Sequence, residues 1–311
     1  MDTASAYHAP VLASEVVELL RRSKRVLDGT LGGGGHTFAL LEAGVETLIG
    51  IDRDPDALVS ASARLADFER AGRFAAVQGN FASIDELPAL AGDRFDGILL
   101  DLGVSSHQLD DESRGFTFRL GARLDMRMGN DASDAASLLN ETPEPELASI
   151  FKEFGDEPRA ARLAREIVRR RATRPFETSD DLVGAIRAVL GPRSGAGEFA
   201  RLFQAVRIAV NDELPGLERA LPALRDRLEP GGTIVVIAYH SGEDRIVKHA
   251  FRDWSADCVC PPKQPICTCR GRRLGDTLTR RALTASADEI ARNPRARSAR
   301  LRAFRAWRSD A

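Results

Sequence analysis

The sequence predicts an α/β protein in which a parallel sheet, covered by helices on both faces, is interrupted by a helical insertion. Three observations carry that prediction. Apolar strand-like runs alternate with helix-like runs between residues 25 and 101. From residue 102 to about residue 200 the alternation lapses, leaving helical patterns and no strand of comparable quality. It then resumes ahead of a strong apolar run at 232–240 (GTIVVIAYH). Apolar strands joined through helices mark βαβ units, whose strands are buried on both faces.

Taken in order, strands are expected at 25–30 (RVLDGT), 47–52 (TLIGID), 74–80 (FAAVQGN) and 95–101 (FDGILLD), with helices at 38–43, 57–71 and 84–91 between them. Within the insertion, helical patterns cover 145–154, 159–171 and 179–190. The string GPRSGAG at 191–197 reads as the linker back to the core. Helices at 203–209 and 214–228, a fifth strand at 232–240 and an amphipathic helix at 245–254 follow, and 298–306 is a candidate edge strand. The expected domains are therefore 1–105 and 199–311 for the two parts of the core, and 106–198 for the insertion.

A chain of 311 residues with 43% hydrophobic and 29% charged residues is ordinary for a globular protein and excludes collagen, bulk disorder and a disulfide miniprotein. No apolar run of membrane-spanning length occurs, and the N-terminal segment lacks the pattern of a secretory signal, so a cytoplasmic protein without a membrane partner is expected. The net charge of −2 hides an asymmetry: residues 270–311 carry twelve Arg against four acidic residues, a local +8, which leaves −10 on the rest. A basic segment on an acidic body suggests an anionic partner at one face, although a solvated charged tail would look the same.

The first strand runs into Asp28-Gly29-Thr30-Leu31-Gly32-Gly33-Gly34-Gly35-His36. A phosphate-cradling loop needs Lys-Ser/Thr after its last glycine, and this loop has His36 there. The dinucleotide fingerprint would require glycine at Thr37 or Phe38. What fits is the acidic-x-G-x-G-x-G arrangement of S-adenosylmethionine-dependent methyltransferases, with Thr30 where the first glycine usually falls. That cofactor has no phosphate, so helix-end anion binding is not required. Asp52, ending the second strand, stands where a carboxylate accepts ribose hydroxyls, or else caps the helix after Pro55.

Several segments now become specific: HAPVL (8–12), DGTLGGGGHT (28–37), IDRDPDA (51–57), DGILLDLGVSSHQLDD (96–111), RGFTF (114–118), LDMRM (124–128), FQAVRIAVNDEL (203–214), HSGEDRIVK (240–248) and NPRARSARLR (293–302). Together they resemble the bacterial small-subunit ribosomal RNA cytosine-N4 methyltransferases, the MraW or RsmH family, nearly end to end and in order. The resemblance implies a class I, Rossmann-like S-adenosylmethionine-dependent methyltransferase core with an inserted helical domain. It also implies methylation of the exocyclic N4 of a cytidine in the decoding region of small-subunit rRNA, the assembled or nearly assembled subunit being the favoured substrate and naked RNA the open alternative. Cofactor contacts carry over to Gly34, Gly35, His36, Asp52, Phe81, Asp101 and Gln108, with Phe81 against the adenine or simply in the core. Departures from the family pattern are Tyr239 for Phe, Gly242 for Leu, and Gly197 and Ala200 for His and Thr. The oligomeric state is left open, a homodimer being one option.

The cytosine N4 lone pair is delocalised into the ring, so an enzyme helps by accepting an N4 hydrogen bond and holding the nitrogen in line with the methyl. Asp101, ending the fourth strand, is the candidate acceptor, or else it positions the cofactor. His240 and Ser241 end the fifth strand on the same sheet edge and complete the candidate catalytic set, while Glu243 and Asp244 read as helix caps. Arg159, Arg162, Arg165, Arg169, Arg170, Arg171 and Arg174 of the insertion could grip phosphates or form a solvated face. All four cysteines, Cys258, Cys260, Cys267 and Cys269, fall in one C-x-C…C-x-C stretch. Reduced thiols in a loop are expected there and no metal is assigned, a zinc site being the alternative. Two rivals stand beside the rRNA reading. One is an N-methyltransferase for DNA or protein, the DNA enzymes being disfavoured by Asp101-Leu102-Gly103-Val104 where they carry an acidic or polar residue followed by Pro-Pro-aromatic. The other, a non-catalytic RNA-binding or assembly factor, is disfavoured by the intact Gly34, Asp52 and Asp101.

Overall fold

The computed structural model describes residues 10–105, 108, 111, 114–129, 133–261, 264 and 266–307. Parts of the motif segments at 8–9, 106–107 and 109–110, and Arg308, lie outside the described residues. The chain divides into two compact units, one formed by 1–103 with 214–311 and the other by 104–213.

The first unit holds a seven-stranded sheet: β1 (Arg25–Asp28), β2 (Thr47–Asp52), β3 (Phe74–Gln78), β4 (Phe95–Asp101), β5 (Leu228–Ala238), β6 (Gly275–Thr277) and β7 (Arg300–Ala306). Their spatial order is β3-β2-β1-β4-β5-β7-β6. The first five strands are mutually parallel, and β7 runs antiparallel to both β5 and β6. The strand order reverses between β1 and β4, which in open α/β sheets is where ligands bind, at the carboxyl ends of the strands. β4 explains why its run is almost wholly apolar: Leu99 joins one core, whereas Ile98 and Leu100 join the other. On Leu99's side, α1 (Ala13–Leu20), α2 (Gly35–Glu42) and α3 (Pro55–Arg70) contribute Val16, Leu40 and Leu65.

On the opposite side, α9 (Glu213–Asp226) and α10 (Ser241–Trp254) contribute Leu217, Leu221, Val247 and Phe251. Two expectations are corrected in this unit. The helix expected at 84–91 is instead two short 3₁₀ turns, Phe81–Glu86 and Pro88–Leu90, because Pro88 cannot continue a helix through its missing N–H. The basic tail is not free: residues 300–306 form β7, inside the sheet rather than at its edge. There Arg302 is 9% exposed and paired with Asp244 at 2.7 and 3.1 Å.

The second unit is helical: α4 (Ala135–Glu141), α5 (Glu144–Glu153), α6 (Ala160–Arg171), α7 (Ser179–Leu190) and α8 (Ala196–Asn211). It extends past the expected 106–198 because α8 belongs to it. Phe199, Leu202, Phe203, Ala205 and Val206 of α8 share one core with Leu147, Phe151, Leu163 and Ile186. The segments LDMRM and FQAVRIAVNDEL meet here for structural reasons. Buried Asn211 donates to the Met126 carbonyl at 2.7 Å and accepts from the Met128 amide at 2.9 Å, and Arg207 grips Glu213 through two bonds of 2.8 Å. The arginine stripe is largely committed as well. Arg169 and Arg170 pair with Glu166, and Arg171 donates to the Leu139 and Thr142 carbonyls. Arg165 and Arg174 keep exposed side chains.

Candidate active site

The carboxyl ends of β1, β2 and β4 deliver Asp28, Asp52 and Asp101 to one edge of the sheet. The glycine loop fills the space between them. Gly34 caps α2 with φ +73°, a left-handed conformation that suits glycine, and a Cβ there would stand 3.0 Å from Leu65 Cδ1 and 3.3 Å from Ala61 Cβ. Gly35 opens α2 beside Pro10 and Arg64.

Asp52 does not cap α3. That role falls to Asp54, whose carboxylate accepts from the Asp56 amide. Asp52 Oδ2 instead accepts from the Gly32 amide at 2.7 Å and Oδ1 from the Asp54 amide at 2.9 Å, so the carboxylate stitches the glycine loop to the tip of β2. Burial raises its pKa despite those amides. Asp28 is 1% exposed and accepts from the Thr37 hydroxyl at 2.8 Å and the Thr30 amide at 3.1 Å. Burial pushes its carboxyl up to about 6, against the opposing pull of Thr37 and His36.

Asp101 is the most elaborately held of the three. Its amide donates to Thr30 Oγ1 at 2.6 Å, and its Oδ1 accepts from the Tyr239 hydroxyl at 2.9 Å. Oδ2 lies 3.4 Å from His36 Nε2, in an alignment too poor for a hydrogen bond, and neither ring nitrogen of His36 has a hydrogen-bond partner among the described residues. Burial would lower the His36 pKa, yet the carboxylates of Asp101 and Asp28 raise it overall. Tyr239 is pushed well above the usual phenol range by burial and by Asp101. With a quarter of its side chain exposed, Asp101 remains reachable. Thr30, which stands where the general glycine pattern has its first glycine, and Tyr239, a departure from the family pattern, thus both hold Asp101.

The remaining expected site residues divide. His240 precedes α10, its Nε2 3.2 Å from Glu243 Oε1, and Ser241 is exposed in the first turn. Glu243 does cap, its Oε2 accepting from the Tyr239 and His240 amides at 2.8 and 3.2 Å, but Asp244 pairs with Arg302 instead. Phe81 is partly buried against the core of its own unit. Gln108 lies in the helical unit, buried, where it accepts from the Ser105 amide at 3.0 Å. Tyr239 is the site residue that sequence reading missed as a functional group, because only the β4–β5 register, with Asp101 opposite Ile237, aims its hydroxyl.

The sequence profile of the MraW methylase family matches residues 5–307. The chain belongs to that family. A ribosomal RNA small subunit methyltransferase H from Gemmatimonas aurantiaca is 67% identical over 300 residues, covering 96% of this chain and 95% of the relative. Proteins of the same name from Heliobacterium modesticaldum and Pelobacter propionicus are each 48% identical, covering 96% of this chain and 97% and 98% of their own lengths. Family and sheet order together make this MraW-family methylase a class I methyltransferase whose cofactor is S-adenosylmethionine. Among the described residues, no helix is long and apolar enough to cross a membrane.

Proposed function

We propose that this MraW-family methylase methylates the exocyclic N4 of a cytidine in the decoding region of small-subunit rRNA, within the assembled or nearly assembled subunit. The observation that carries the reading is Asp101: a reachable carboxylate, fixed at the tip of β4 by Tyr239 and Thr30, beside an edge lined by the glycine loop. The edge fits S-adenosylmethionine. Gly34 leaves a cradle that a Cβ would crowd, Asp52 offers a carboxylate at the ribose position, and His36 has buried ring nitrogens without hydrogen-bond partners among the described residues. In this reading Gly34, Gly35, His36, Asp52, Phe81 and Gln108 hold the cofactor.

When bound, that cofactor supplies a methyl group made electrophilic by its sulfonium. Asp101 accepts a hydrogen bond from N4–H through Oδ2, which raises electron density on the nitrogen as it becomes tetrahedral and offers a base for the departing proton. Tyr239 donates to Oδ1 and so holds the carboxylate in one orientation. His240 and Ser241, at the start of α10 on the same edge, orient the base. No residue needs to bond covalently to the pyrimidine ring, in keeping with a sequence whose four cysteines all lie at 258–269. The target base must leave its stack to reach such a pocket. The helical unit supplies RNA contacts through exposed Arg165, Arg169 and Arg174.

The test is mass spectrometry of rRNA from cells lacking the protein, with single-turnover methyl transfer to their small subunits by the purified chain. Loss of one N4-methylcytidine and its restoration in vitro are expected. An unchanged nucleoside inventory would refute the substrate, and methylation at a ring carbon would refute the chemistry.

A further inference from the structure

The four cysteines converge. They lie on the loop that leaves α10 at Trp254 and re-enters the sheet at β6, which puts them at the end of α10 away from His240 and Ser241, about 20 Å along its axis. All four sulfurs lie within 4.8 Å of one another. The separation is 3.5 Å for Cys267–Cys269 and 3.8 Å for Cys258–Cys267, Cys260–Cys267 and Cys258–Cys269. A disulfide requires about 2.05 Å, so these are not bonded pairs. Four thiolates around zinc at about 2.3 Å define a tetrahedron whose edges measure about 3.8 Å. The sulfurs sit close to that spacing.

The backbone is arranged to suit. The middle residue of each C-x-C arm donates its amide to the last cysteine of the other arm: Val259 to Cys269 Sγ and Thr268 to Cys260 Sγ, both at 3.4 Å. Amides aimed at sulfur are the outer-shell support that metal-bound thiolates receive. Side-chain hydrogen bonds from Arg270 to the Ala256 carbonyl at 3.2 Å and from Gln264 to Thr268 Oγ1 at 2.8 Å also hold the loop, but they are exposed to water. None of its described residues from 255 to 274 is buried, and Val259 and Ile266 are 42% and 75% exposed. Its side-chain ion pair, Arg273 with Asp257 at 3.0 Å, is exposed on both partners and holds little by itself.

We propose that Cys258, Cys260, Cys267 and Cys269 bind one structural Zn²⁺ in a tetrahedral all-thiolate site that closes the loop between α10 and β6. Thiolates select zinc over the hard cations, and a site with four protein ligands has no open position for catalysis. In this proposal the four reduced thiols expected from the sequence share one ion. C-x-C spacing is tighter than the usual C-x-x-C, and the two arms meet it by facing each other.

The full-length protein, purified under reducing conditions without chelator, is expected to carry about one zinc per chain by elemental mass spectrometry. Cys258→Ser with Cys267→Ser is expected to lower that at least tenfold. Wild-type protein stripped of metal is expected to take up about one Co²⁺, with the intense visible bands of tetrahedral cobalt and thiolate-to-cobalt charge transfer, and to lose them on addition of zinc. The cobalt readout stands even if the double variant fails to fold. A zinc-free wild type that also gives no such bands overturns the proposal, as does an intact mass showing two disulfides. Iron in place of zinc overturns the choice of metal.

Discussion

Replacing Asp101 by asparagine separates the charge of the β4 carboxylate from its shape. The native side chain accepts from Tyr239 at 2.9 Å through Oδ1 and faces His36 at 3.4 Å through Oδ2, while its amide is tied to Thr30 at 2.6 Å. Asparagine keeps the amide anchor and the acceptor for Tyr239, so the tip of β4 stays in place. What disappears is the negative charge toward the methyl acceptor. Loss of one positioned electrostatic partner costs about 2.7–4 kcal/mol, or about 10²–10³ in rate. Single-turnover transfer of labelled methyl to immature small subunits is expected to slow by that factor, while cofactor affinity measured by calorimetry falls less than tenfold, under about 1.4 kcal/mol. The His36 pKa, which Asp101 helps to raise against burial, should drop in the same variant, as NMR titration would report. Tyr239→Phe is the graded control, expected to cost about 1 kcal/mol in the rate, the scale of one hydrogen bond. Equal losses of rate and affinity in Asp101→Asn would assign the residue to cofactor binding, and a rate and affinity both within twofold of the parent would refute the catalytic role.

Asp52→Ala is expected to weaken S-adenosylmethionine binding by about 1–3 kcal/mol in calorimetry, and unchanged affinity in a folded variant would remove it from the site. Asp28 governs a pH dependence. Its folded pKa of about 6 lies above the usual 3.8, so the native state holds the proton longer, and stability falls by about 3 kcal/mol as pH rises from 4 to 6 before levelling off. Urea denaturation of Asp28→Asn should lack that fall, and identical pH profiles for variant and parent would contradict it. Asp244→Asn leaves Arg302 charged and largely buried within the sheet, which should destabilise the fold by about 3–5 kcal/mol, whereas a loss below about 1 kcal/mol would mean that water reaches the pair.

The legible parts of the sequence were those with strong local signals. The runs of β1, β2, β4 and β5 were visible because strands largely buried on both faces are nearly continuously apolar. β3 was visible because its short apolar run is bounded by turn residues, although only Phe74 is buried, and the glycine loop because its spacing admits few ligands. β6 escaped notice since three residues, Gly275–Thr277, carry no periodicity. β7 was legible as a strand because Arg300 and Arg302 alternate with apolar residues, but it was placed at the sheet edge, and the ion pair from Arg302 to Asp244 is what accommodates an arginine inside the sheet. The allegiance of α8 was hidden by GPRSGAG, a flexible-looking string that turns out to lie within the helical unit. In the site, the tips of β1, β2 and β4 could be foreseen from strand ends. The Thr30 and Tyr239 contacts to Asp101 could not, because each joins residues far apart in sequence through strand register.

The point at which the helical unit enters the chain sets an order of events during synthesis. β4 and β5 are neighbours in the centre of the sheet, yet residues 102–227 separate them. Strands β1 to β4 leave the ribosome long before their partner exists, with one side of β4 unpaired. Closing so long a flexible loop is entropically costly, and the cost falls when the intervening chain has already condensed. The helical unit can do so early, because the described residues of its core lie between 116 and 210 and α5–α6 is a local helix pair. Its folding brings forward the arrival of β5, and with β5 comes the Tyr239 hydroxyl that fixes Asp101. The Asp101 carboxylate therefore acquires its final orientation only after both halves of the sheet have joined, so an unfinished chain holds the acidic residue without the hydrogen bond that orients it.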